Sequence, residues 1–359
     1  GVEVSKKGHY SWYKEVDVPA GLVAAFQNIV MVPHDLTPTT LLPTVRNLFV
    51  SDNGEFVFYR DLSNNYGVVD LDNPVIKPSD EKLTTSLNIF SWDEDNENIF
   101  FSNYATSKII GKSERIVPTP ANLLNQTLTL VDEFIVSLSG NQIFVYDHEE
   151  GVFVDTINNA SSFAVNGGRN VYYISTDDNL LYKYDLNNNE NTLVSGVDNF
   201  SGGRILRAEV INNELYVLIR GGSNNFLFKV STEEIELIAS YIIDFSISHN
   251  GEKIAYWNNA EVWIYHLEDT NIQPFQEAGE FKRIFTGNSI VNVDWHKYNN
   301  GLIVFTNRAV IFTETDTRFN TNAITLFDAL KDGDGPIQAI RNGVYNRGSD
   351  SIYFQTGTE

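Results

Sequence analysis

The segment "IIDFSISHNGEKIAYWNNAEVWIYHLED", residues 242–269, decides the fold. It contains an alternating apolar run, a turn at Asn250-Gly251, a stronger apolar run, and then a third run of the same kind. Asn and Gly tolerate the positive φ angles that tight hairpins require. The segment therefore predicts consecutive antiparallel strands joined by short turns.

The strand–turn–strand part of this unit recurs along most of the chain. It is found at residues 48–59, 89–101, 128–137, 163–174, 208–219, 245–257, 293–305 and 339–354. The spacing between repeat starts runs from about 35 to about 50 residues, which is typical of four-stranded β-propeller blades. Helical periodicity is nearly absent, and the stretch 324–332 could be either a helical turn or a strand followed by a loop.

We therefore expect an all-β fold in which a β-propeller makes up most of the chain. The repeat starts favour eight blades slightly, but the last repeat shows only two strands before Glu359, so seven blades remain open. The expected division is a β module at 1–35, a linker at 36–47 and the propeller at 48–359.

The composition limits the classes of function. The chain has 359 residues, and its 47 acidic against 25 basic residues give a formal net charge of −22. Such a field repels nucleic acids and anionic lipids, so we expect no nucleic-acid partner. There is no cysteine, which excludes disulfides, thiolate metal sites and a cysteine nucleophile.

Few residue patterns point to chemistry. The Gly-x-Ser-x-Gly motif of hydrolases is missing, and no two histidines have metal-ligand spacing. We read His249 as a structural or solvent-exposed turn residue. Asp332 and Asp334 form a weak candidate for a divalent-cation site, although no third ligand follows in register. The sequence thus predicts no catalytic residue, no established metal site and no cofactor.

Three further groups of residues could form sites. The turn at 93–98 alternates acidic residues but lacks the Gly of a calcium loop. The aromatic residues of 256–265 alternate in a way that predicts packing between blades for most of the rings. A second aromatic group lies at 10–13, and a carbohydrate or peptide platform is the less favoured interpretation of the aromatic residues.

The unit at 242–269 resembles the repeats of TolB-like and dipeptidyl-peptidase-like propellers. WD40 repeats are a poorer match, because no unit carries their Gly-His and Trp-Asp pairs. The resemblance covers about residues 44–359 and implies a fold rather than an activity.

Residues 1–35 contain Lys6-Lys7-Gly8-His9-Tyr10, a strand 13–18 with Val16 and Val18 facing inward, a turn near Gly21, and a closing strand at 26–33. This pattern resembles the C-terminal half of a PEGA domain, which implies that part of a small β-sandwich module precedes the propeller. A PEGA module followed by a propeller resembles predicted envelope proteins of Saccharibacteria and Patescibacteria. This resemblance implies an extracytoplasmic propeller, anchored through an N-terminal helix upstream of Gly1.

The leading functional hypothesis is a non-enzymatic, surface-displayed propeller that binds a protein, a peptide or a glycan. One alternative is a glycan-active enzyme that uses carboxylates in the propeller funnel. Another is a TolB-like periplasmic partner protein. The sequence leaves the ligand and the oligomeric state open.

Overall fold

All regular elements of the described residues are β-strands, numbered β1 to β32 in chain order. The structure is a computed structural model. It describes residues 1–358 except for Gly21, Gln27, Pro43, Asp52, 83–88, 94–97, 104–105, 112–114, 118–119, 121–122, 124–126, Gly167, 196–199, Ile272 and 332–337. Within these residues there is no helix, and hence none that could span a membrane.

Most strands form four-stranded antiparallel sheets, which we call blades. Blade 1 contains β3 (Val45–Val50), β4 (Phe56–Asp61), β5 (Asn65–Asp70) and β6 (Val75–Lys82). Blade 2 contains β7 (Ile89–Trp92), β8 (Asn98–Asn103), β9 (Thr106–Gly111) and β10 (Arg115–Val117). Blade 3 contains β11 (Thr127–Val131), β12 (Phe134–Ser139), β13 (Gln142–Asp147) and β14 (Val152–Asn158).

Two more blades follow in the middle of the chain. Blade 4 contains β15 (Ala160–Asn166), β16 (Asn170–Ser175), β17 (Leu181–Asp185) and β18 (Glu190–Ser195). Blade 5 contains β19 (Gly203–Ile211), β20 (Glu214–Gly221), β21 (Asn224–Val230) and β22 (Ile235–Ile242).

The remaining strands form two blades and two hairpins. Blade 6 contains β23 (Asp244–Ile247), β24 (Lys253–Trp257), β25 (Glu261–His266) and β26 (Phe281–Thr286). Blade 7 contains β27 (Ile290–Trp295), β28 (Gly301–Thr306), β29 (Ala309–Glu314) and β30 (Ala323–Asp328). The two-stranded sheets are β1 (Val2–Val4) with β2 (Trp12–Lys14), and β31 (Gln338–Asn346) with β32 (Ser351–Thr358).

The all-β propeller expected from sequence is confirmed, with seven blades among the described residues. The slight preference for eight came from the repeat start at 339–354, which forms only the hairpin β31–β32. The ambiguous stretch 324–332 is a strand for most of its length, because Ile324 pairs with Phe312 in blade 7.

Local turn chemistry explains how the blades form. In blade 5, Ile211 pairs with Glu214, so Asn212 and Asn213 make up the whole connection between β19 and β20. Both residues have positive φ, 51° and 65°. This is the conformation of a two-residue turn whose twist matches that of the flanking strands, and Asn adopts it at little cost.

The hydrophobic core lies between successive sheets. One cluster joins blades 4 and 5 and includes Tyr172, Leu181, Leu215 and Val230. Clusters of the same kind join blade 1 to 2, 2 to 3, 3 to 4, and 6 to 7. Blades 2, 3 and 4 therefore bury side chains on both of their faces against neighbouring sheets, as blades of a propeller do.

Polar side chains on the innermost strands add links between blades. The Ser162 hydroxyl in β15 accepts a hydrogen bond from the backbone N–H of Ile205 in β19, at 3.1 Å. Ser91 in β7 accepts one from Leu130 in β11, at 3.2 Å. These bonds satisfy backbone donors where two sheets meet and no ladder is available.

The chain divides into two compact units, Leu42–Tyr241 and Gly1–Leu41 with Ile242–Glu359. In the second unit the N-terminal hairpin packs against blade 7. Trp12 donates a hydrogen bond from Nε1 to Glu314 Oε2, at 2.9 Å. The Lys14 side chain is fully buried and forms an ion pair with Glu314.

The predicted strand at 13–18 is wrong. Strand β2 ends at Lys14, and Val18, expected to face inward, is 42% exposed. The reason is a long-range contact: Lys14 Nζ donates to the backbone carbonyls of Asp316 (2.7 Å), Arg318 (3.3 Å) and Asn320. These bonds hold Lys14 against the loop that follows β29, and strand β2 does not continue beyond this residue.

Candidate functional site: a groove between two blades

An open groove of about 840 Å³ lies between blades 4 and 5, both within the unit Leu42–Tyr241. The order of the four antiparallel strands places the first and third turns of a blade at the same end of its sheet. Residues from those turns line the groove, among them Gly168, Asn213 and Ser231. It therefore opens at one end of the two sheets, where they diverge.

One wall of the groove is a row of side chains across blade 4. Tyr172 in β16 pairs with Lys183 in β17, which pairs with Thr192 in β18. Paired residues point to the same face of a sheet. Tyr172 belongs to the core cluster shared with blade 5, so this row faces blade 5.

The opposite wall is a row across blade 5. Val210 in β19 pairs with Leu215 in β20, which pairs with Val230 in β21. Leu215 and Val230 are buried in the core cluster, whereas Val210 is 45% exposed. The groove thus has an apolar wall whose outermost side chain remains open to solvent.

The carboxylates near the groove are already paired. Glu214 forms an ion pair with Lys229 at 2.6 Å, and Glu209 forms one with Arg207 at 2.9 Å. Burial alone would raise the pKa of Glu214, but hydrogen bonds from Lys229 and Tyr216 outweigh it and hold that pKa below its usual value. A carboxylate held in its ionised form does not serve as a general acid near neutral pH.

Tyr172 supplies a neutral hydroxyl. Burial raises the pKa of this phenol, and a hydrogen bond with the Asn166 side chain works in the opposite direction without cancelling it. The side chain therefore stays protonated at neutral pH and can donate a hydrogen bond.

Lys183 differs from the other cations around the groove. Arg207 and Lys229 each contact a carboxylate, while the ammonium of Lys183 has neither a hydrogen-bond nor an ion-pair partner among the residues that the structure describes. Among the described residues, Lys183 is therefore a positively charged group of the groove without an ion-pair partner, and it lies beside an apolar wall.

The candidate cation residues Asp332 and Asp334 lie outside the described residues. Residues 94–97 of the acidic turn also lie outside them. Asp93, at the start of that turn, accepts hydrogen bonds from Asn98 at 3.0 and 2.7 Å. Elsewhere in the described part of the chain, no group of three or more His, Cys, Asp or Glu is arranged to hold a metal ion.

The other residues considered from sequence have structural contacts. His249 Nε2 lies 3.1 Å from the Trp295 carbonyl oxygen, within blades 6 and 7. Tyr256, Trp257 and Tyr265 are buried, which confirms the packing interpretation for most of the 256–265 aromatics. The group at 10–13 is split, since Trp12 is buried and Tyr13 is 46% exposed.

Sequence reasoning did not identify the groove residues. A signal existed in "LLYKYDL", where alternation places Lys183 on the same face as the apolar Leu181. Nothing local, however, indicates which neighbouring sheet that face meets.

Comparisons with known proteins agree on the fold. No protein-family model and no curated protein matches the sequence. Among solved structures, the chain is similar to the C-terminal WD40 domain of Sif2, with a TM-score of 0.57, 11% identity, and coverage of 88% of this chain and 94% of that one.

Two further neighbours have the same character. A eukaryotic initiation factor matches with a TM-score of 0.53 and 10% identity over 92% of each chain. Hsv2 of Kluyveromyces lactis matches with a TM-score of 0.50 and 11% identity, over 79% of this chain and 97% of that one. At such identities the likeness concerns the fold alone. The protein has a seven-bladed β-propeller fold with WD40-like structural neighbours.

Proposed function

We propose that the protein is a non-enzymatic binding module that takes an extended segment of a partner protein in the groove between blades 4 and 5. The observation that carries the proposal is the pair of facing rows, Tyr172–Lys183–Thr192 and Val210–Leu215–Val230. A groove of about 840 Å³ lies within the size range of ligand sites.

The chemistry of the groove favours binding over catalysis. A glycan-active enzyme would need one carboxylic acid with a raised pKa opposite an ionised one. Here the pKa of Glu214 is lowered, and both Glu209 and Glu214 are paired with cations. Val210 instead offers exposed apolar surface and Tyr172 a neutral hydroxyl, a combination that suits ligand binding rather than acid–base chemistry.

The test is a selection of random 12-residue peptides displayed on phage against the full chain, followed by affinity measurement of synthetic copies. Val210→Asp should weaken the selected peptides at least tenfold, because it places a charge on the apolar wall. Val152→Asp is the matched control, since Val152 lies in β14 of blade 3 and is 46% exposed, against 45% for Val210. Equal affinity of the two variants would overturn the proposal.

We also propose that this binding occurs outside the cytoplasm, with the propeller displayed in the cell envelope by the N-terminal module. The support is the PEGA resemblance of residues 6–10 together with the TolB-like repeat at 242–269. The contacts of Trp12 and Lys14 with Glu314 would then join that module to blade 7.

The location is tested in cells of the source organism. A display role predicts that the protein fractionates with envelope membranes and is degraded when protease is added to intact cells. Recovery in the soluble cytoplasmic fraction, protected from protease, would rule out display while leaving the groove proposal untouched.

A further inference from the structure

We infer that the groove selects segments that carry a single carboxylate next to an apolar side chain, the carboxylate pairing with Lys183. This inference rests on the proposed function and names the chemistry of its ligand. The apolar side chain of the ligand would contact Val210 and the wall behind it.

The cations near the groove differ in whether a carboxylate of the chain already neutralises them. Lys229 and Arg207 are neutralised by Glu214 and Glu209 at 2.6 and 2.9 Å. By register those pairs lie on the face of blade 5 opposite Leu215 and Val230, since Glu209 and Lys229 both pair with Tyr216, although Glu209, Glu214 and Lys229 also line part of the groove. Lys183 faces the groove and has no partner of its own among the described residues.

The surroundings of Lys183 are partly apolar. It pairs with Tyr172, which is 4% exposed, and it lines the same groove as the buried Leu215 and Val230. A ligand carboxylate beside Lys183 would leave water for a partly apolar site, where an ion pair is less screened than on an open surface. The Tyr172 hydroxyl is a neutral donor on the same row.

The net charge of the chain limits how many acidic groups a ligand can carry. With a net charge of −22, the chain repels polyanions such as nucleic acids and heavily phosphorylated segments. Because this field opposes each added acidic group, the ammonium of Lys183, which has no partner among the described residues, suits a ligand with one carboxylate rather than several. We therefore commit to a segment with a single acidic group and apolar neighbours.

The experiment extends the phage selection to two variants of the full chain. Peptides selected on the wild type should be enriched in one Asp or Glu next to an apolar residue. Synthetic wild-type binders should lose at least tenfold in affinity when that acid is replaced by its amide, and the loss should vanish on Lys183→Met. Lys183→Arg should keep the preference, and Lys7→Met, at an exposed lysine of the N-terminal module, is the matched control.

A second arm identifies the source of the carboxylate. Each binder is synthesised with a free and with an amidated C-terminus. Loss of binding on amidation assigns the contact to a chain terminus, and unchanged binding assigns it to an Asp or Glu side chain. Unchanged binding on amidation, with an acid preference that disappears on Lys183→Met, supports an Asp or Glu side chain at Lys183, whereas dependence on the free C-terminus contradicts the inference.

The outcomes separate this inference from the proposed function. Binders that need Val210 but show no acid preference, or keep that preference on Lys183→Met, would overturn the inference and leave the groove as the binding site. Binders unaffected by Val210→Asp, or no binders at all, would overturn both.

Discussion

Lys14 and Lys183 lie in different units and show two uses of the same side chain. Lys14 is fully buried, and its ammonium contacts the Glu314 carboxylate and the carbonyls of the loop 316–320. Lys183 is partly buried and contacts no acceptor among the described residues. A cation whose acceptors belong to its own chain stabilises the fold, whereas one left without them is available to a partner.

The largest expected effect comes from breaking the Lys14 contacts. Lys14→Met removes the buried cation paired with Glu314 and the donor to several backbone carbonyls, so we expect a loss of about 3–5 kcal/mol in the free energy of unfolding. Urea denaturation measures it, with Lys7→Met as the control. A loss no larger than that of the control would mean that the N-terminal hairpin is not held by this lysine.

The half-buried Asp294 provides a second, intermediate case. Burial raises the pKa of Asp294 to about 7, against hydrogen bonds from the Tyr345 backbone N–H and the Asn292 side chain that lower it. Because this value lies above the ordinary 3.8, the folded protein keeps the proton longer than the unfolded chain. The stability that neutral Asp294 contributes is complete below about pH 4 and is lost as the pH rises through about 7.

The Asp294→Asn variant should therefore show a flatter pH profile of stability. Between pH 5 and pH 8 we expect the wild type to lose about 1–3 kcal/mol relative to the variant. Urea denaturation at pH 5, 6, 7 and 8 measures the difference. Parallel profiles would indicate that Asp294 is ionised in the folded protein throughout this range.

The smallest expected effect on stability is that of Lys183→Met. Since Lys183 has no internal partner in the described residues, we expect a change within about 0.5 kcal/mol. The same denaturation measurement tests this, and a loss comparable to that of Lys14→Met would show that the two lysines do not differ in role.

Much of the fold could be predicted because its signals are local. The segment 242–269 predicted a strand–turn–strand–strand unit, and the structure has β23, β24 and β25 there. The fourth strand of this blade, β26, begins only at Phe281, after a long connection that hides the repeat. The number of blades was harder to predict, because the repeat start at 339–354 has the same sequence pattern whether or not two more strands follow it.

The sites could be predicted far less well, because their contacts join residues distant in sequence. The strand expected at 13–18 was wrong since Lys14 binds a loop about three hundred residues away. The groove rows combine Tyr172 and Lys183 of one blade with Val210 and Leu215 of the next. Each row shows ordinary alternation, and neither contains a motif.

By itself, the sequence determined the β-strands, their turns and their repetition, because period-two alternation and the φ preferences of Asn and Gly act between near neighbours. Only the tertiary structure decided which lysine is enclosed by acceptors and which one faces an open groove. This difference depends on how the sheets pack against each other. Residues outside its own sheet supply the acceptors for Lys14, whereas Lys183 meets no acceptor among the described residues.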